Sequence, residues 1–446
     1  MNCQYFFARR QVNTGAVACL FVFIELLSAL ASQPALAQTG YGQSAPHAAP
    51  PSAPNSDRPA AKSGEPKETV RTAISKPMVA AEKAINEKKF TEALQHIAEA
   101  EKVDGKTPYE LYVLDRMRAT SALGAGNDAL AVKSLESAFA SGRIPAADTV
   151  NFLDGIARVH YRLKDYRQTA LWAARALKEP GARNETRLLL GHSAYINNDF
   201  ATAKTEIGAY LAANEQAGTP ATEDQLRLLA SAALKAKDTE GYVAALEKIV
   251  VRFPSKEYWA DLIYRVESKP GFAERLVIDV YRLKLATGAM AEKSDYFEMA
   301  SLTQQSGFPA EAQKVIEAGI ASGVLAKDAT ADTEKKLRAS IAKDLADENA
   351  RAAKGGPPPK SAVALLNNGF DAVLKGDAKK GLEMMEAAIK AGDQKRPDDA
   401  KLRYGIALVM AGQKPNAGAT FKTVQGNDGA ADLARLWEIY TRQVVQ

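Results

Sequence analysis

The sequence predicts an all-α protein, an α-solenoid of about nine stacked helical hairpins closed by a C-terminal capping helix. Three observations carry this. Alanine is abundant and β-branched runs are scarce, which favours helix over strand. Apolar residues recur at helical spacing in paired segments. A turn followed by a small residue returns every 33 to 39 residues, with one double step of 69.

The recurring landmark is a Gly, Asn or Lys turn, an aromatic or small residue, and then a small residue. It reads Lys89-Phe90 before Ala93, Gly126-Asn127-Asp128 before Ala131, Lys164-Asp165-Tyr166 before Thr169, and Asn198-Asp199-Phe200 before Ala203. Later copies are Gly307-Phe308 before Ala312, Gly376-Asp377 before Gly381 and Gly412-Gln413 before Ala417, with weaker ones centred on Tyr242 and Arg275. The successive steps are 38, 38, 34, 39, 33, 37, 69 and 36 residues. A small residue is needed where two antiparallel helices cross closely. One hairpin cannot bury its apolar face alone, so neighbours stack and bury it for one another. The step of 69 leaves room for a degenerate unit in the charged, helix-forming stretch Ala329–Lys354.

Residues 1–37 do not belong to this fold. Arg9 and Arg10 precede an apolar stretch from Ala16 to Leu30, interrupted by Glu25, and Ala35-Leu36-Ala37 stands before Gln38. That is the pattern of a secretory signal peptide cleaved between Ala37 and Gln38. The expected location is therefore periplasmic or secreted, with the membrane touched only through partners or an uncleaved signal. Both cysteines, Cys3 and Cys19, lie in the signal, so a mature chain has neither disulfides nor thiolate chemistry. Cleavage also lowers the net charge from +5 to +4, near balance for this length, and no Lys/Arg block is dense enough for nucleic acid.

The division follows composition. Residues 38–74 are rich in Pro, Ala and Ser and read as a disordered tether. Residues 75–326 carry the first run of hairpins. Residues 327–360 form a charged helix and a linker containing Gly355-Gly356-Pro357-Pro358-Pro359. Residues 361–446 carry further hairpins and the capping helix, where Leu433, Leu436, Trp437 and Tyr440 share a face.

These units resemble tetratricopeptide repeats, whose period is about 34 residues. Leu190-Gly191, Ala194, Phe200, Ala203 and Ile207 follow the family pattern, as do Leu229-Ala230, Ala233 and Pro254, while Gly369 and Gly405 stand at its helix-A glycine. The family's early tryptophan is absent except for Trp259 in the sixth unit. The order of signal, tether and repeats is similar to that of exported tetratricopeptide proteins of Gram-negative bacteria.

Few residues suggest chemistry. Gly105-Lys106-Thr107 ends like a phosphate loop, but Ala100 stands where the motif needs glycine, so it reads as an inter-repeat turn. His47, His96, His160 and His192 form no His-x-x-x-His pair, and no Gly-x-Ser-x-Gly elbow occurs. No cofactor, metal or catalytic set is expected, and the chain is read as a non-enzyme.

The resemblance implies that the first helix of each unit lines a concave face. It places Arg116, Arg158, Tyr161, Arg162, His192, Tyr195, Arg227 and Tyr264 there as partner-binding candidates. Arginine and tyrosine combine contact area with directional hydrogen bonds. The competing reading of the same positions is solvated helix faces or internal salt bridges. The expectation is a scaffold for other envelope proteins or extended peptide segments, serving a transport, secretion or surface-polymer system. The alternative is a peptidoglycan- or polysaccharide-acting enzyme or binding protein using the same groove.

Overall fold

The computed structural model describes residues 68–353, 361–392 and 394–443. The expectations for the signal peptide, for all but the last residues of the tether and for Gly355–Pro359 lie outside them. The described residues contain twenty α-helices, one 3-10 turn and no strand. They divide into two units, 68–182 and 183–443.

The first unit holds three hairpins: α1 (Thr72–Asn86) with α2 (Phe90–Glu101), α3 (Pro108–Gly124) with α4 (Asp128–Ala140), and α5 (Ala146–Arg162) with α6 (Tyr166–Ala176). α1 begins inside the segment assigned to the tether. The reason is tertiary: the Arg71 backbone N–H donates to Glu110 Oε1 at 2.9 Å, so α3 ties down the start of α1. Gly105-Lys106-Thr107 is a turn, as expected. Lys106 Nζ closes the end of α2 on the carbonyls of Glu101 and Val103, and Thr107 opens α3 in a capping box with Glu110.

The second unit holds six hairpins. They are α7 (Asn184–Ile196) with α8 (Phe200–Gln216), α9 (Glu223–Lys235) with α10 (Thr239–Arg252), and α11 (Lys256–Glu267) with α12 (Val277–Ala286). Then come α13 (Lys293–Gln305) with α14 (Pro309–Ala321), α16 (Ala362–Leu374) with α17 (Ala378–Ala391), and α18 (Pro397–Met410) with α19 (Lys414–Phe421). α15 (Asp332–Ala353) and α20 (Ala430–Arg442) stand outside hairpins.

Two residues make each tight turn. The first takes the left-handed conformation: Lys88, Gly126, Lys164, Asn198, Lys237, Gly307, Gly376 and Gly412 all have φ between 58° and 96°. The second is the N-cap of the returning helix, and its N–H bonds back across the turn, as from Asp199 to the Ala194 carbonyl at 2.9 Å. Where that residue is Asn127, Asp165, Asp199, Asp238 or Asp377, its side chain also accepts from the third helical N–H. One dipeptide thus ends one helix and starts the next.

The landmark residue lies four positions after that N-cap. Ala93, Ala131, Thr169, Ala203, Ala312 and Ala417 are fully buried, and Tyr242 falls in the same register at 2% exposure. The sixth landmark needs correction. Arg275 sits in the 3-10 turn Glu274–Leu276, and the buried crossing residue is Val280. The loop containing Pro270-Gly271 is longer than the other turns, which shifts the register.

α20 caps α18 and α19, and it also packs on α10, α11 and α12. Trp437 stacks on Phe421 at 6.1 Å, Lys269 pairs with Asp432 at 2.9 Å, and Arg435 pairs with Glu247 at 2.9 Å. One apolar core therefore joins the fourth to sixth hairpins to the eighth and ninth.

Candidate partner-binding faces

Each unit has to be judged by what its first-helix side chains already hold. In the first unit the arginines are engaged. Arg116 donates to Tyr112 Oη at 3.2 Å and lies over that ring. Arg158 Nε donates to buried Asp154 at 2.7 Å, and its own side chain is only 13% exposed. Arg162 forms a two-pronged pair with Asp128, 2.8 and 2.6 Å, joining the third hairpin to the second. Tyr161 meets Tyr166 edge-on at 5.6 Å. The same unit is stitched by Arg71 to Glu110 and by Trp172 Nε1 to Glu136 at 3.2 Å. Arg116 and Arg158 are thus held within their own helices, while Arg162 and Arg71 join neighbouring hairpins.

In the second unit the face is built on α9. Glu223, Arg227, Ser231 and Lys235 follow one another at steps of four, so they form one row along the helix. α7 flanks it on one side, where Tyr195 Oη and Ser231 Oγ are hydrogen-bonded at 2.7 Å. α11 flanks it on the other, where Tyr258 Oη donates to Glu223 at 2.6 Å. Burial, then the Glu223 carboxylate, push the Tyr258 hydroxyl up to about 12, so it stays a donor at neutral pH. Lys235 Nζ stands over the rings of Tyr195 and Phe200, 5.1 Å from each. Arg227 and Lys235 are exposed, and among the described residues neither has a carboxylate within ion-pairing distance.

Of the other candidates, His192 is half-buried on α7, and burial holds its imidazole below the usual histidine range, so it is neutral at pH 7. Tyr264 projects from α11 with half its surface exposed. The structure thus gathers Tyr195 and Arg227 around one row. Sequence reasoning missed Lys235, Ser231 and Tyr258. The four-residue repeat of polar residues from Glu223 to Lys235 was the available signal.

Elsewhere in this unit, an open hollow of about 510 Å³ lies among α17, α18 and α19, lined by Glu383, Glu386, Tyr404, Gln413 and Asn416. Among the described residues no group of three metal-ligating side chains occurs, and no helix is long and apolar enough to cross a membrane.

The described residues define the class of protein: an all-α chain built of tetratricopeptide-like hairpins. No protein-family model and no curated protein matches the chain. Among solved structures, it is similar to the C-terminal part of a TPR repeat-containing protein from Cytophaga hutchinsonii, at 14% identity and a TM-score of 0.30, over 58% of this chain and 98% of that one. A tetratricopeptide repeat protein from Parabacteroides merdae matches at 9% identity and 0.27, over 74% and 99%. PilW, a type IV pilus biogenesis factor, matches at 16% and 0.25, over 53% and 94%. Likenesses of this size carry no argument of their own, and the class rests on the hairpins themselves.

Proposed function

We propose that the chain is a non-catalytic scaffold that holds an extended acidic segment of another envelope protein along α9 of the second unit. One observation carries this reading. Arg227 and Lys235 stand two turns apart on one exposed row, about 12 Å along the axis, with Tyr195 and Tyr258 as walls. That span matches three to four residues of extended chain at about 3.3 Å each. Acidic groups at that separation pair with both cations, and Tyr264 supplies exposed aromatic area nearby on α11. The proposed setting is the periplasm or the outside of the cell, reached after cleavage between Ala37 and Gln38; the intact mass of the mature protein tests that step.

The test of binding is a photo-crosslinker at Tyr264 in cells, followed by mass spectrometry, in the parent chain and in Arg227→Glu/Lys235→Glu. The double variant is expected to stay helical by circular dichroism and to lose the cross-linked partner at least tenfold. A partner captured equally by both proteins would sink the assignment. Turnover of purified peptidoglycan or polysaccharide by the parent chain would replace it with the enzymatic alternative.

A further inference from the structure

α15 is the longest helix among the described residues, at 22 residues, and the least embedded. Its packed side is a narrow stripe at steps of three and four, with Leu337, Ile341 and Leu345 as the apolar members. Of these only Ile341 is fully buried, at 2%. α20, the other helix outside hairpins, buries Leu433, Leu436 and Trp437 to 2% or less. α15 lies on α14 and touches α13, and Leu337 and Ile341 join an apolar cluster with Met299, Val315 and Ile316.

The remaining ties are polar and at the rim. Arg338 donates to the carbonyls of Ala326 and Lys327 at 2.9 and 2.8 Å. Gln304 reaches Ser340 at 2.7 Å and Asp344 at 2.6 Å, and Lys375 reaches Glu348 at 2.6 Å. Rim bonds of this kind exchange readily with water. Six of the 22 residues of α15 are Ala and five are Lys or Arg, strong helix formers, so its helical propensity is high apart from the seat.

We infer that α15 is a displaceable strap in a helix-binding groove formed by α13 and α14. When it leaves, the Met299–Val315–Ile316 cluster is uncovered. Its replacement is an amphipathic helix of a partner chain with apolar residues at i, i+4 and i+8 and a cation at i+1. That cation takes over the carbonyls of Ala326 and Lys327. The strap and such a helix thereby compete for one seat on α13 and α14.

Hydrogen exchange on the full chain tests this. Amides of 332–353 are expected to exchange at least tenfold faster than those of α13 and α14. Ile341→Asp is expected to speed exchange in α15 and over its seat while leaving α7–α12 unchanged. A synthetic peptide of residues 332–353, added in trans, should restore protection to the seat, and the same peptide carrying Ile341→Asp should not. Exchange of α15 at the rate of α13 and α14 in the parent chain overturns the proposal without need of any variant. So does failure of the peptide to protect the seat in Ile341→Asp or in the milder Leu337→Ser.

Discussion

Arg282 and Glu311 meet through two hydrogen bonds, Nε to Oε1 at 2.7 Å and Nη2 to Oε2 at 2.6 Å, with side chains only 1% and 4% exposed. Arg282 also donates to Asp279 at 2.5 Å, and its guanidinium lies 5.6 Å from the ring of Phe308 and 4.3 Å from that of Phe370. Arg403 approaches Asp279 at 3.5 Å. Two cations and two carboxylates thus balance where α12, α14, α16 and α18 converge.

Removing one member strands the rest. Glu311→Ala leaves a buried guanidinium short of a partner, and such losses cost about 3–5 kcal/mol. Urea unfolding of the second unit is expected to show that loss. A triple replacement, Asp279→Leu, Arg282→Met and Glu311→Leu, is expected to recover most of it, because the desolvation penalty disappears with the three buried charges and Arg403 remains partly solvated.

Glu110 sets an acid limit for the first unit. Hydrogen bonds from the Arg71 side chain chiefly, opposed by burial and helped by backbone N–H groups of Thr107 and Arg71, hold its carboxyl down at about 2, against an ordinary 4.5. A depressed carboxylate contributes its stability above the unfolded value, and that stability is lost as pH falls from about 4.5 through about 2. Arg71 is 41% exposed, so solvent screening reduces the effect to about 1–2 kcal/mol. Thermal melts are expected to show a steeper decline across this window in the parent chain than in Glu110→Gln, which starts lower.

The turns offer a gain. Lys164 and Lys237 hold φ near 60°, where a β-carbon costs about 1–2 kcal/mol. Glycine relieves that strain but loses about 0.4–1 kcal/mol through the unfolded chain. Lys164→Gly and Lys237→Gly are each expected to stabilise by about 0.5–1 kcal/mol in chemical unfolding. Gly126→Ala, at φ 74°, is expected to do the reverse.

Helix crossings discriminate between glycines. A β-carbon on Gly369 meets the Gly381 carbonyl oxygen at 2.6 Å, which only backbone movement can relieve. Gly369→Ala is expected to cost about 1–3 kcal/mol by overpacking. Gly155, inside α5, has nothing within 4 Å of an added β-carbon, so Gly155→Ala is expected to stabilise by about 0.5–1 kcal/mol. Melting temperatures of the two variants should move in opposite directions.

Much of the hairpin pattern was legible because its causes are local. The dipeptides from Gly126-Asn127 to Gly376-Asp377 announce turns through backbone conformation and capping, and the fully buried Ala93, Ala131 and Ala203 announce the crossings. Tyr242 obeyed the register despite its size, because its hydroxyl reaches Asp261 at the edge of the core. Arg275 misled the period because a longer loop displaced the crossing to Val280. Candidate site residues were legible only as types. Arg158 and Arg227 are the same amino acid on first helices, yet one is paired and nearly buried and the other is exposed.

By itself, then, the sequence determined that the chain is helical, where its hairpins turn and which small residues lie at their crossings. Those features depend on contacts within a few residues or between adjacent helices. Tertiary structure alone decided that α20 folds back on α10–α12, that Arg275 pairs with Asp399 across 124 positions and that Lys269 pairs with Asp432 across 163. It also decided which arginines are paired and nearly buried, as Arg158 is, and which are exposed, as Arg227 is. The physical reason is that small rotations between successive hairpins add up, and only their sum places two distant surfaces, with their charges, opposite one another.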